Sequence, residues 1–422
     1  MEILPLHPAE NAASPDALRG FLAHCRDAAE RDRHDKLVSI SLALPPPDPL
    51  AVLELIFDPA QPHFFTAFAF REEHEPGQPF PAASAFVPRW QVALAGGKGT
   101  AVANLTVGPD SDLDALATRV WRAHRRLREV GEGGGSEGVS SASAAPGRFS
   151  LHEAGDYRAA VGRALERIGR GEIGKVVLAR AIDLQADGPL HPLVALNGLR
   201  QRFPDCYSFS FSDGRGPSFI GASPERLLRV SRGVLETEAL AGSAPRGGSA
   251  SEDAALAAGL ARSEKDLREH EQVLADIRAR LAPLAPELEA SGPPQVRRLA
   301  NVQHLHTPVR GVLRDGAHPL DVLAELHPTP AVGGAPRAAA LAAIGELEGF
   351  PRGLYAGALG WLNARRGGEF FVGLRSALVD GPSARLYAGA GIVAGSTPEK
   401  EFAETELKFR AMLGAIGAPS AT

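Results

Sequence analysis

The segment Tyr387-Ala-Gly-Ala-Gly-Ile-Val-Ala-Gly-Ser396, followed by the acidic segment Glu399-Lys-Glu-Phe-Ala-Glu404, predicts a glycine-rich strand that leads into a final helix at 399–416. Small residues in a strand let a ligand approach the backbone, and the amides of Gly389 and Gly391 could donate hydrogen bonds to an anion. Tight packing of the sheet against a helix explains the same glycines equally well. The strand by itself therefore leaves a binding role and a packing role open.

Upstream of this strand, from about residue 149, helical and extended patterns alternate. The apolar periodicity predicts helices at 157–170, 192–202, 320–326 and 338–347, and one long helix at 252–281 that Pro283 ends. Extended segments are predicted at 175–184, 207–211, 226–230, 234–238 and 299–313, with a hairpin at 355–379. Hairpins interleaved with helices predict an α+β fold with mixed, largely antiparallel sheets, not a doubly wound parallel sheet.

The first third of the chain carries fewer signals. Strand-like runs occur at 36–44, 51–57 and 64–70, and a helical pattern follows at 111–130. Residues 131–147 are mostly Gly, Ser, Glu and Ala, which cannot bury enough apolar surface to offset their ordering entropy. We therefore expect three parts: an N-terminal portion (1–130), a flexible loop (131–147) and a catalytic region (148–422).

The bulk composition excludes several classes of protein. The net charge of −5 favours neither nucleic acid nor an anionic membrane as a partner. Cys25 and Cys206 are far apart and in no metal-binding spacing, so neither a disulfide framework nor a zinc site is expected. The N-terminal residues show no signal-peptide pattern, and no apolar run reaches the roughly 20 residues that a membrane span needs. A cytoplasmic protein is expected.

Two pairs of carboxylates have helical spacing. Asp266 and Glu269 are three residues apart, as are Glu401 and Glu404, so each pair shares one helix face. Carboxylates from two helices, brought together, would form a hard-cation site suited to Mg²⁺. Charged pairs with this spacing are also common on solvated helix faces, so the spacing alone leaves both interpretations open.

Four other polar residues stand out in apolar surroundings. Arg375 lies in an otherwise apolar strand, where a charge is either paired or binds a carboxylate. Lys175 opens a buried strand and could act as a base if it is partly desolvated. Glu225 follows a turn, and His304 is a lone histidine of the kind that is more often structural than catalytic.

Ten segments in the same order resemble the chorismate-binding family of anthranilate, aminodeoxychorismate, salicylate and isochorismate synthases. They are Lys-Val-Val-Leu-Ala-Arg (175–180), Gly-Ala-Ser-Pro-Glu (221–225), Glu-Ala-Leu-Ala-Gly-Ser (238–243), Ser-Glu-Lys-Asp-Leu-Arg-Glu-His (263–270), Val-Gln-His-Leu (302–305), His-Pro-Thr-Pro-Ala-Val-Gly-Gly (327–334), Tyr-Ala-Gly-Ala-Leu-Gly (355–360), Gly-Leu-Arg-Ser-Ala (373–377), Tyr-Ala-Gly-Ala-Gly-Ile-Val (387–393) and Pro-Glu-Lys-Glu-Phe-Ala-Glu-Thr-Glu (398–406). The order of all ten, across about 149–416, makes the resemblance specific.

The resemblance implies a sandwich of two intertwined α/β halves with the substrate between them. It also implies roles for the residues above: Glu269 and Glu404 would bind Mg²⁺ directly, Asp266 and Glu401 would support them, and the metal would hold the ring carboxylate of chorismate. Arg375 would bind the enolpyruvyl carboxylate with Tyr355, Gly389 and Gly391, while Gly242 and Ser243 would line the pocket beside the metal. His304 and Ala331 would complete the set of substrate-binding residues.

The reaction that the resemblance implies is the addition of water at C2 of chorismate with loss of the C4 hydroxyl, which needs a base and an acid. Lys175 is the expected base and Glu225 the expected acid. Lys175 must then be neutral and Glu225 protonated at the working pH, which requires a lowered and a raised pKa, respectively.

Differences between family members favour isochorismate formation. Ala241 stands where aminodeoxychorismate synthases have lysine, and no amidotransferase domain or subunit is expected, which argues against anthranilate formation. Ala331 stands where salicylate-forming relatives tend to have threonine, which favours isochorismate formation, whereas Tyr355 favours salicylate formation. Salicylate synthesis and a catalytically inactive, chorismate-binding relative stay as alternatives, and a monomer is expected.

Overall fold

The computed structural model describes residues 3–6, 15–33, 36–44, 63–95, 98–132, 148–290, 292–299 and 302–418. The chain forms two compact units. The smaller comprises Met1–Phe65, Ala85–Ser140 and Trp361–Arg365; the larger comprises Thr66–Ser84, Ser141–Gly360 and Arg366–Thr422. The strand predicted at 51–57 and nearly all of the loop predicted at 131–147 lie outside the described residues. The proposed division of the chain into residues 1–130, 131–147 and 148–422 therefore stays a prediction.

The described residues form helices and strands in one alternating series. The helices are α1 (Pro15–Asp32), α2 (Leu113–Glu132), α3 (Tyr157–Gly169), α4 (Pro192–Arg202), α5 (Ala250–Arg262), α6 (Glu264–Leu281), α7 (Pro319–Leu326), α8 (Arg337–Leu347) and α9 (Pro398–Ile416). The strands are β1 (Ile3–Leu6), β2 (Lys36–Leu44), β3 (His63–Phe68), β4 (Ala83–Phe86), β5 (Trp90–Ala95), β6 (Lys98–Val107), β7 (Phe149–Ala154), β8 (Lys175–Ala186), β9 (Tyr207–Ser212), β10 (Ser218–Ser223), β11 (Arg226–Ser231), β12 (Val234–Pro245), β13 (Leu288–Ala290), β14 (Gln295–Arg298), β15 (Val302–Val312), β16 (Gly334–Ala335), β17 (Ala358–Asn363), β18 (Gly368–Val372), β19 (Ser376–Asp380) and β20 (Ser383–Val393). Within these parts of the chain, no helix is both long and apolar enough to cross a membrane.

The smaller unit is a four-stranded sheet with two helices against it. Its strand order is β1-β2-β6-β5, with β1 and β2 parallel and the other pairs antiparallel. Leu18 and Leu22 of α1 and Val120 of α2 are buried together with Val38 of β2, because apolar side chains at helical spacing face the apolar side of the sheet. The predicted strand at 36–44 and helix at 111–130 are confirmed.

The larger unit contains two intertwined, antiparallel sheets. One has the order β16-β8-β20-β19-β10-β9, with β7 on β8, and the other contains the run β13-β15-β12-β11-β18. The chain passes from the first sheet (β7–β10) to the second (β11–β15), and then alternates between them from β16 to β20. The predicted α+β class with largely antiparallel sheets is therefore confirmed.

Strand β8 has both faces buried, which explains its nearly continuous apolar run. Because successive side chains point to opposite faces, Ile182 and Leu184 enter the core beneath α4 and α9, whereas Lys175 and Val177 face a cavity. Its partner β20 follows the same alternation: Leu386 enters that core, while Gly389 and Gly391 face the cavity.

The predicted single helix at 252–281 is wrong, because α5 ends at Arg262 and α6 begins at Glu264. Ser263 between them is extended (φ −69°, ψ 109°), and its Oγ accepts a hydrogen bond from the Asp266 amide. Its own amide donates to the Leu260 carbonyl. A serine that satisfies free amides at a helix N-terminus competes with helix continuation, so the chain turns here.

We expect Ser263→Ala to lower the free energy of unfolding by about 0.5–2 kcal/mol, because the amide of Asp266 loses its capping acceptor. Urea unfolding followed by circular dichroism measures this. Ser251→Ala, an exposed change in α5, serves as the control and should stay within about 0.5 kcal/mol of the parent protein. Equal stability of both variants would contradict the capping role.

Candidate active site

A single cavity of the larger unit, lined from both of its sheets, collects most of the predicted site residues. It is concave and combines apolar walls with a few convergent polar and charged groups, as small-molecule sites do. Twelve of the predicted residues line it: Lys175, Glu225, Gly242, Ser243, Glu269, His304, Ala331, Tyr355, Arg375, Gly389, Gly391 and Glu404. Asp266 and Glu401 are not among the residues that line the cavity.

Gly389 and Gly391 leave room for side chains that line the cavity. A Cβ atom on Gly389 would lie 2.8 Å from the Tyr355 hydroxyl oxygen, and one on Gly391 would lie 3.2 Å from Cε of Lys175. The first distance is shorter than any ordinary carbon contact, so a larger residue at 389 would displace the tyrosine. Because Gly389 and Gly391 of β20 have no side chains, Tyr355 and Lys175 have space to lie over the strand at the cavity.

Lys175 is buried at the start of β8 and is paired with a carboxylate of α6. Its Nζ donates to Oε1 of Glu269 at 2.7 Å, and the lysine is 5% exposed. This strand position fixes the amine at the cavity wall, because the flanking residues of β8 are locked in the sheet by β20. The hydrogen bond holds the amine and the carboxylate side by side at the cavity wall, where both can meet a ligand.

Glu404 on α9 has an analogous partner that the sequence did not single out. Nζ of Lys408, one helical turn later, donates to Oε1 of Glu404 at 2.7 Å and to the Gly389 carbonyl at 2.6 Å. The positive charge of Lys408 lowers the pKa of Glu404. Lys408 lines the cavity, and the only sequence signal for it is the i,i+4 spacing of an ordinary surface ion pair.

Glu225 lies between β10 and β11 with its carboxyl group buried at the cavity. Burial and, to a smaller extent, the negative charge of Glu238 raise its pKa to about 7, against the opposing charges of Lys175 and Lys408. Within the described residues its carboxylate accepts no hydrogen bond that would stabilise the ionised form. Glu225 therefore has the environment of a carboxylic acid that holds its proton close to neutral pH.

Arg375 presents a guanidinium without a hydrogen-bond partner among the described residues. Its backbone is left-handed (φ 48°), and its carbonyl accepts the Ala222 amide at 3.2 Å, so the segment between β18 and β19 is fixed. Burial lowers the pKa of the guanidinium, but an arginine side chain keeps its positive charge in proteins. A partly buried, unpaired guanidinium at a cavity wall is suited to bidentate binding of a carboxylate.

His304 is neutral and bound to its neighbours. Its Nδ1 is 2.9 Å from the Ser243 Oγ and 3.3 Å from the Gly242 carbonyl oxygen. Burial lowers its pKa to about 3, and the charges of Arg375 and Lys408 act in the same direction. The strand β12 bulges at Gly242 (φ 75°), which brings this carbonyl toward the histidine. A neutral imidazole at this place can hold Ser243 in position or contact a ligand, but it cannot act as a protonated acid near pH 7.

A buried ion pair at the cavity wall, formed by Arg352 and Glu348, was not predicted. Arg352 donates through Nε to Glu348 at 2.8 Å, and its other nitrogens donate to the carbonyls of Val332 and Val177. Both side chains are almost inaccessible, so the pair must be fully hydrogen-bonded to offset its desolvation. It ties β8 to the 327–334 segment, which carries Ala331 to the cavity.

The cavity offers oxygen donors for a hard cation. Glu269 and Glu404 line it, whereas Asp266 lies behind Gly242, where an added Cβ would be 3.1 Å from the Asp266 Cβ, and Glu401 is buried close to Ser396 and Glu404. The described residues include no ready-made cluster of three or more His, Cys, Asp or Glu ligands. This donor set fits Mg²⁺, which takes few protein carboxylates and fills its shell with water and ligand oxygens.

Comparison with known proteins assigns the family. Residues 57–417 match the family described as chorismate binding enzyme. The chain belongs to the chorismate-binding enzyme family.

Within this family, the chain is similar to isochorismate synthases. It is 40% identical over 362 residues to the salicylate biosynthesis isochorismate synthase of Pseudomonas aeruginosa, covering 86% of this chain and 73% of that protein. It is 38% identical over 262 residues to the isochorismate synthase MenF of Bacillus subtilis, covering 62% of this chain and 55% of that protein. The solved structure of MenF, the menaquinone-specific isochorismate synthase from Escherichia coli, superimposes with a TM-score of 0.72 at 29% identity, covering 98% of this chain and 85% of that one.

Proposed function

We propose that this chain is an isochorismate synthase, which interconverts chorismate and isochorismate. The observation that carries the proposal is the pairing of Lys175 and Glu225 in one cavity: a buried lysine and a carboxyl group whose pKa is raised to about 7. The relatives described above support the same activity. An acid and a base of this kind are what the replacement of a C4 hydroxyl by a C2 hydroxyl requires.

In the proposed reaction, Lys175 removes a proton from a water molecule as that water adds to C2 of the ring. Both ring double bonds shift, from C1=C2 and C5=C6 to C6=C1 and C4=C5, the bond from C4 to its hydroxyl breaks, and Glu225 gives its proton to the departing oxygen. One water is consumed and one is released, so the reaction is an isomerisation. Because Glu225 is buried and no described residue donates a hydrogen bond to its carboxylate, it can keep the proton that this step needs.

We further propose that Glu269 and Glu404 hold a Mg²⁺ ion, with Asp266 and Glu401 supporting them. The ion, when bound, would supply positive charge to the ring carboxylate of the substrate. Lys175 and Lys408 neutralise these glutamates when they are paired with them. Glu269 must exchange its lysine partner for other contacts before Nζ of Lys175 can act as a base.

Arg375 is proposed to bind the enolpyruvyl carboxylate, with the Tyr355 hydroxyl beside it. We expect Arg375→Lys to raise KM for chorismate by roughly 10- to 100-fold, because an ammonium group cannot reproduce the two parallel hydrogen bonds of a guanidinium. Steady-state kinetics at saturating Mg²⁺ measure this effect. Arg365→Lys, a change in the smaller unit, is the control. An unchanged KM in the Arg375 variant would remove this residue from substrate binding.

The proposed function is tested by incubating the protein with chorismate, with and without Mg²⁺, and resolving the products by chromatography. Isochorismate synthesis predicts a metal-dependent mixture of chorismate and isochorismate without pyruvate. Equal amounts of salicylate and pyruvate would instead show salicylate synthesis, which Tyr355 favours and Ala331 opposes. Unchanged chorismate would show a binding protein. The expected monomeric state is checked on the same sample by light scattering.

A further inference from the structure

Glu238 on β12 is a buried carboxylate surrounded by positive charge. Its side chain is 2% exposed. Arg297 on β14 donates through Nη1 to Oε1 at 3.1 Å and Oε2 at 3.3 Å, and Nε2 of His306 on β15 lies 3.0 Å from Oε2. The guanidinium of Arg226 on β11 is 3.7 Å away. Glu238 does not line the cavity, and no step of the proposed reaction uses it.

These partners keep Glu238 ionised. Burial on its own would raise its pKa, but the hydrogen bond from His306 and the charges of Arg297 and Arg226 outweigh burial, so the pKa is lowered. A buried carboxylate with this many donors holds its negative charge through the neutral range. Its charge is therefore a fixed feature of the site.

The same carboxylate holds the backbone that carries Glu225. Oε1 of Glu238 accepts a hydrogen bond of 3.2 Å from the amide of Arg226, the peptide that directly follows Glu225. On the other side, the Glu225 carbonyl accepts from the Val372 amide at 3.1 Å, and its amide donates to the Ser223 Oγ at 3.3 Å. The Glu225 backbone is thus fixed at three points, and one of them is a negative charge.

We propose that Glu238 is a positioning residue, whose fixed charge and hydrogen bond to the Arg226 amide keep Glu225 protonated and directed into the cavity. This inference rests on the proposed role of Glu225 as the acid. The charged groups that face Glu225 are Glu238 from β12, Lys175 from β8 and Lys408 from α9. Around Glu238 they are Arg226, Arg297 and His306, and Arg226 is also close to Glu236, Glu369 and Tyr207. Of these three charges around Glu225, Glu238 favours the protonated form, in the same direction as burial, whereas Lys175 and Lys408 oppose it.

The test measures the ionisation of Glu225 directly, by carbon-13 NMR of protein labelled at the glutamate carboxyl carbons, with Glu225→Gln used to assign the signal. In Glu238→Gln we expect the midpoint of the Glu225 titration to fall by about one pH unit or more, because a like charge is lost and two guanidinium groups are left uncompensated. The alkaline limb of the kcat profile should move to lower pH by the same amount, with KM for chorismate little changed.

Two further variants distinguish the effect of the negative charge of Glu238 from a purely structural effect of its side chain. Glu238→Asp keeps the charge but shortens the reach to the Arg226 amide, so kcat should fall while the Glu225 midpoint stays within a few tenths of a unit. Glu236→Gln, two residues earlier on β12, also removes a partner of Arg226 and should leave the midpoint unchanged. Circular dichroism melting checks that each variant folds.

An unchanged Glu225 midpoint in Glu238→Gln would overturn the inference, and this holds whatever the protein catalyses. A midpoint that falls equally in Glu238→Asp would also overturn it, because the charge would not be the cause. Full activity in Glu225→Gln would overturn the proposed acid role itself, and the inference with it. The NMR titration therefore tests the role of Glu238, and the product assay tests the proposed function, so the failure of one can be told from the failure of the other.

Discussion

Glu225→Gln is expected to lower kcat for isochorismate formation by roughly 10²–10⁴-fold, because an amide cannot give a proton to the departing C4 hydroxyl. The substitution keeps the shape of the side chain, so binding of chorismate should be nearly unchanged when measured by calorimetry. Glu236→Gln provides a matched control with full activity. Wild-type kcat in the glutamine variant would contradict the acid role.

The same residue predicts how activity and stability depend on pH. Because the acid must be protonated and its pKa is raised to about 7, kcat of the parent protein should fall about tenfold per pH unit above that value. The folded protein also binds this proton more tightly than the unfolded chain, whose ordinary value is 4.5. Glu225 therefore stabilises the fold below pH 4.5, and that contribution is lost as the pH rises toward 7. Between pH 4.5 and 7, the melting temperature of Glu225→Gln should rise relative to that of the parent protein. A difference between the two melting temperatures that does not change with pH would show that the pKa of Glu225 is not raised.

Local patterns predicted the elements better than their junctions. The apolar run at 175–184 and the glycine-rich strand before the last helix became β8 and β20, because burial of both faces leaves a continuous apolar signature. The break at Ser263 could not be found in the same way. Helical periodicity continues on both sides of it, and a serine is common inside helices, so only the backbone reveals that its hydroxyl caps α6.

The site was predicted as a set of residue types, but not as a set of contacts. Motif order singled out Lys175 and Glu269, whereas their ion pair joins residues 94 positions apart. It forms because α6 packs against β12 and β15, so that Glu269 reaches across the cavity to β8 of the other sheet. Glu238 and Arg297 are separated by 59 positions and meet only because β12 and β14 both pair with β15. Lys408 has the spacing of a surface ion pair, so the sequence contains no sign that it reaches the cavity.

The contact between Lys175 and Glu269 allows two roles of this lysine to be separated. Lys175→Met removes the amine and is expected to lower kcat by roughly 10²–10⁴-fold, the usual contribution of a general base. Lys175→Arg keeps a positive charge that can pair with Glu269, but a guanidinium does not lose its proton at working pH. The arginine variant should therefore be about as inactive as the methionine variant if the lysine acts as a base. Activity near that of the parent protein in Lys175→Arg would show that only its charge matters.

Binding of Mg²⁺, measured by calorimetry without substrate, distinguishes the two variants in a way that catalysis does not. In Lys175→Met the carboxylate of Glu269 has lost the ammonium 2.7 Å away, so Mg²⁺ should bind more tightly than to the parent protein. In Lys175→Arg a cation still competes for the carboxylate, so the affinity should stay close to the parent value. Lys400→Met, an exposed change on α9, controls for the loss of one positive charge. Equal Mg²⁺ affinity in all four proteins would show that Glu269 does not bind the ion, because removal of its ion-pair partner must strengthen any cation held at that carboxylate.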